Sequence, residues 1–132
     1  MQAVLASLFE MDLDQAINVM DHPETAWHVP FMDWIDEATK FTYVGVCNAH
    51  SEKVQTLNAL QSLYAVHGCF YGVVPSKNFK DVTHAVIIDR NGVVIHDPNP
   101  DNKWLGVNTV ESGDLIYWYM FEPKDSVPVY EH

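Results

Sequence analysis

The feature that most narrows the possible folds is residues 83–100, THAVIIDRNGVVIHDPNP. Two apolar, β-branched runs flank Asn91-Gly92, the favoured pair for a two-residue type I′ turn, because both positions need positive φ. A hairpin with that turn sets Val86 opposite Asp97 and His84 opposite Asn99, and successive side chains alternate between faces. His84 and Asp97 then share a face as diagonal neighbours, their backbones roughly 7–8 Å apart, within reach of a hydrogen bond. His96 points the other way. A three-residue loop reverses the parity and pairs the face of His84 with His96 instead. The chemical reading of the hairpin therefore turns on register.

A carboxylate behind an imidazole fixes its tautomer and stabilises the cation formed when the ring takes a proton. An acid–base pair is one reading of His84 and Asp97, and ordinary polar residues at strand ends are another. A metal site from His84, His96 and Asp97 has suitable ligand types. The alternation of faces splits its two histidines, so no metal or cofactor is expected.

The rest of the chain supplies helices first and strands afterwards. Residues 2–10, QAVLASLFE, set Ala3, Val4, Ser7 and Leu8 at helical spacing. Asp12 is placed to cap a second helix over residues 12–21, with Leu13, Ile17 and Met20 on one stripe. The segment ending at Pro23 reads as a loop. Pro30 suits the first turn of a helix over residues 29–41, with Phe31, Trp34 and Ile35 inward and Asp33, Asp36 and Glu37 outward. Residues 41–46 read as a strand, residues 51–68 as a helix capped by Gly68, and residues 69–74 as another strand. Residues 101–114 read as a loop and residues 115–121 as a closing strand. This order predicts an α+β fold, helices on an antiparallel sheet, in a single domain over residues 1–132.

Charge excludes some functions. Eighteen acidic residues face seven basic ones, a formal net charge of −11, so direct binding to nucleic acid or an anionic membrane is not expected. The acidic surface suits a basic protein partner. No apolar run approaches the roughly 18–20 residues of a membrane span. The N-terminus lacks a basic leader region, and Cys47 and Cys69 need no disulfide, so a cytoplasmic location is expected. Of the tryptophans, Trp27, Trp104 and Trp118 look too many for one small core, which leaves Trp104, beside Lys103, free to flank a cleft. Tyr130, Glu131 and His132 are expected to fray.

The helix QAVLASLFEMDLDQ followed much later by HAVIIDRNGVVIHDPNP resembles papain-like cysteine peptidases of the C39-like, bacteriocin-processing type, and small relatives from bacteria and phages. The resemblance covers the start of the chain and residues 69–105. It implies a papain-like fold, a peptide or other amide substrate, His84 as general base and Asp97 as its orienting partner, with Pro98 turning the chain after the aspartate. The family cysteine would fall immediately before Met1, at a helix N-terminus where the dipole and His⁺ lower a thiol pKa. Cys47 and Cys69, in or beside strands, are expected to pack as small hydrophobes. As given, the chain keeps the His–Asp pair without that nucleophile. Two functions follow: a thiol-hydrolase-type domain, truncated or catalytically inactive (a pseudoenzyme), or a non-catalytic acidic binder, such as a phage anti-CRISPR-type inhibitor masking a basic nucleic-acid channel.

Overall fold

The computed structural model describes residues 2–17 and 28–124. Expectations for Met1, Met20, Pro23, Trp27 and residues 130–132 lie outside them. In chain order the elements are α1 (Gln2–Leu8), a 3-10 turn (Leu13–Gln15), α2 (His28–Ala38), β1 (Phe41–Asn48), α3 (Lys53–Ser62), β2 (Cys69–Pro75), β3 (Thr83–Asp89), β4 (Val94–His96), α4 (Thr109–Ser112) and β5 (Tyr117–Pro123). The architecture is α+β, as the order of patterns predicts: one five-stranded sheet, β1-β5-β2-β3-β4, every neighbouring pair antiparallel. Among the described residues no helix is long and apolar enough to cross a membrane.

Helices cover both faces of the sheet. On one, Val4, Leu5 and Leu8 of α1 and Phe31 and Ile35 of α2 pack against Tyr71, Val73, Ile87, Tyr119 and Phe121. On the other, Leu60 of α3 and Val110 of α4 pack with Trp104 against Phe70, Val74, Val86, Ile88 and Trp118. Alternation along each strand divides these sets: Val73 and Ala85 pair on the first face, Val74 and His84 on the second. Two cores, rather than one, make room for Trp104 and Trp118, which are 3% and 0% exposed. The expectation that Trp104 is left over from the core is corrected on that ground, while Trp27 lies outside the described residues.

Several local expectations also change. Ser7 is exposed while Leu5 is fully buried, so the inward stripe of α1 runs through Val4, Leu5 and Leu8. Of the helix expected over residues 12–21, the described residues, up to 17, form a 3-10 turn, closed by the Gln15 side chain accepting from the Asp12 N–H at 2.9 Å, with Leu13 exposed. The helix beginning near residue 51 stops at Ser62, because the Arg90 guanidinium donates to the carbonyls of Leu60, Gln61 and Leu63 and takes over its last turn. Gly68 is then no helix cap. It follows His67 in a tight turn, both at positive φ (52° and 79°), with Val66 and Cys69 exchanging backbone hydrogen bonds. The segment 101–114 contains α4, whose first two free N–H groups are accepted by the Asn108 side chain.

Candidate functional site

The hairpin reaches the expected register by an unexpected route. Its turn is a three-residue loop, residues 90–92: the Asp89 N–H donates to Val93 O at 3.0 Å, and Gly92 alone takes positive φ (83°). The Asp89 carboxylate selects this form by accepting from the backbone N–H groups of Asn91 and Val93, at 2.8 and 3.0 Å. Such a loop by itself would put His96 on the face of His84. A bulge undoes the shift. Ile88 pairs with Val94 but Ile87 pairs with His96, so Ile95 is an extra residue on β4. Beyond it His96 shares the face of Ile87, and Asp97 falls on the face of Val86 and His84.

His84 and Asp97 meet there, with Nε2 2.7 Å from Oδ1. The carboxylate side chain is 1% exposed and that of His84 21%, so one partner is sealed and the other reaches solvent. The same Oδ1 accepts from the Asn99 N–H at 2.9 Å, and Oδ2 from the Trp104 N–H at 3.1 Å. Burial acts to raise the Asp97 pKa, but the bonds from His84, Asn99 and Trp104 outweigh it and leave the carboxyl below its ordinary value. Asp97 is therefore ionised at neutral pH and can only accept, so the proton between the pair sits on Nε2. Nδ1 is left as the basic nitrogen. Pro98 follows within the turn that Asp97 and Asn99 form.

Trp104 is the residue that sequence reasoning placed as a cleft wall, and the structure gives it another task. It is buried, its backbone holds Asp97, and its indole Nε1 donates to Pro75 O at 3.1 Å. This ties the loop after β4 to the end of β2, beside Thr83, the pairing partner of Pro75. No local pattern signals this role, since it depends on two segments about 30 residues apart.

Neither cysteine approaches the pair. Cys69 is paired with Asp89 while His84 is paired with Val74, so five residues, roughly 17 Å of strand, separate Cys69 from the histidine. Cys47 lies on β1, three strands from β3, or roughly 14 Å across the sheet. Burial raises the pKa of both thiols, and at Cys69 the neighbouring Asp89 adds to the effect. Both are free and partly buried, consistent with packing as small hydrophobes.

The leading helix has a defined polarity against the site. Its C-terminal end lies at the Cys69 end of the sheet: Ser7 Oγ is 3.3 Å from His96 Nε2, and the Phe9 ring centroid is 5.5 Å from that of Phe41. Val4 and Leu5 share one core with Tyr71, Val73, Ile87 and Tyr119. α1 packs on one face of the sheet, and the His84 ring lies on the other, with Val74 and Val86. His96 is on the α1 face, so His84, His96 and Asp97 do not converge, and among the described residues no group of three His, Cys, Asp or Glu side chains is arranged to hold a metal ion.

Comparison with known proteins gave no matching family model, curated protein or solved structure.

Proposed function

We propose that His84 and Asp97 are the acid–base half of a papain-like, C39-like thiol-hydrolase site acting on a peptide or other amide. The observation that carries this reading is the 2.7 Å contact between His84 Nε2 and an Asp97 carboxylate held by two backbone N–H groups. A pair so fixed presents Nδ1 as a base of defined direction. The sequence has no thiol at the head of α1 and as it stands is truncated or catalytically inactive; with a cysteine immediately before Met1 the reaction would start with Nδ1 taking the thiol proton. The thiolate attacks the amide carbon, and the imidazolium returns the proton to the departing amine. Water then hydrolyses the thioester by the same base. Asp97 stabilises the imidazolium throughout.

The test places Cys immediately before Met1 and treats the protein with iodoacetamide, reading the labelled positions by mass spectrometry. Labelling of the added thiol near neutral pH, much faster than that of Cys47 or Cys69 and slowed by His84→Ala, supports the proposal. Labelling at the rate of an ordinary thiol, or unaffected by His84→Ala, refutes it.

A second reading, docking on a basic protein partner, is favoured by the placement of charge. Asp12, Asp14, Asp33, Asp36 and Glu37 are all exposed, and the Trp34 indole donates to Gln15 O at 3.1 Å, bringing the 3-10 turn and α2 side by side. Such binding weakens steeply with salt.

A further inference from the structure

The basic residues of this acidic chain are unevenly used. Arg90 is spent on the end of α3, Lys53 donates to Glu111 O, and Lys124 donates to the carbonyls of Asp36 and Thr39. Three of the remaining lysines, Lys77, Lys80 and Lys103, fall in the two loops that leave the His84 end of the sheet, residues 76–82 and 98–104. The same loops carry Asp81 and Asp101. Lys103 is neutralised by Asp101 at 3.6 Å and also donates to Asn78 Oδ1. Lys77 differs. Its Nζ lies 4.2 Å above the Trp104 ring and donates to Lys103 O at 3.2 Å, and among the described residues it has no carboxylate partner. A cation held on an indole face with only a carbonyl for company keeps its charge available.

The position is as informative as the charge. Lys77 touches Trp104, whose N–H holds Asp97, which holds His84. The same loop carries Phe79, 69% exposed, and Val82, 49% exposed. We propose that these two loops form the docking surface for the substrate of the His84–Asp97 site, and that the segment taken is an extended peptide carrying a carboxylate for Lys77 next to an apolar side chain for Phe79 and Val82. This rests on the hydrolase reading. The acids of α2 lie across the sheet on the opposite face, and a Debye length of about 8 Å at physiological salt screens them from this surface.

The experiment titrates the whole protein, at physiological salt, with three acetylated peptides: acetyl-Ala-Leu-Glu-Leu-Ala-amide, its Gln counterpart, and the Gln peptide ending in a free carboxylate. The expected result is that one or both carboxylate-bearing peptides bind about tenfold more tightly than the neutral one, the size of a single charge-assisted contact. Which of them does so tells a side chain from a chain end. Lys77→Ala abolishes the preference, while Lys77→Arg and the distant Lys53→Ala retain it. Equal binding of all three peptides, binding of none at millimolar concentration, or a preference that survives Lys77→Ala overturns the proposal. Failure of the hydrolase reading looks different: the added thiol fails to label by a His84-dependent route while the Lys77-dependent preference persists.

Discussion

Asp97→Asn changes one oxygen for an amide nitrogen without changing shape, and its cost can be worked from the contacts. Three donors converge on the carboxylate: His84 Nε2 and the Asn99 N–H on Oδ1, and the Trp104 N–H on Oδ2. The asparagine keeps one acceptor, most cheaply at Oδ1, and turns its NH2 toward the Trp104 N–H. A buried donor without an acceptor costs about 1–3 kcal/mol. The surviving bond from His84 loses its charge assistance, about another 1 kcal/mol. A total of about 3 kcal/mol corresponds to a fall in Tm of roughly 10 °C for a chain of this size. The pH dependence adds a signature. Because the folded state lowers the Asp97 pKa, the carboxylate stabilises the fold above its unfolded pKa of about 3.9, and that stability is lost as pH falls through the lower folded value. Calorimetry of both proteins from pH 7 to pH 2 should show a large gap that narrows below about pH 4. Equal Tm values at pH 7, or a gap unchanged at pH 2, would refute the reasoning.

Gly92→Ala should destabilise by about 2 kcal/mol or more, measured by urea denaturation, because the residue has φ 83° and an added Cβ would stand 2.5 Å from Val110 Cγ2. Arg90→Met should cost about 2 kcal/mol in the same assay by leaving the carbonyls at the end of α3 without their charged donor. Cys47 and Cys69 should react with iodoacetamide more slowly than a free thiol at pH 7 and speed up only above about pH 9, since burial raises both pKa values.

The sequence carried the site more faithfully than the turn that builds it. Alternation of faces brings His84 and Asp97 together only for a two-residue turn, and the structure reaches the same parity through a three-residue loop and the bulge at Ile95. The loop length was not legible from Asn91-Gly92, since the competing interaction comes from the Asp89 side chain just before it. The end of α3 was hidden for a similar reason. Helical spacing continues past Ser62, and what stops the helix is an arginine 28 positions later. The I′-type turn at His67-Gly68 was mistaken for a helix cap because glycine at positive φ serves both. Composition counted tryptophans against one interior and missed that a sheet covered on both sides has two.

The extra residue at Ile95 has an evolutionary corollary. Shortening residues 90–92 by one, or removing Ile95, would each turn the imidazole and carboxylate away from one another. The two deletions together would restore them. Length changes at these two places should therefore travel as a pair among descendants that keep the partnership, while lineages that have abandoned it should show either one alone.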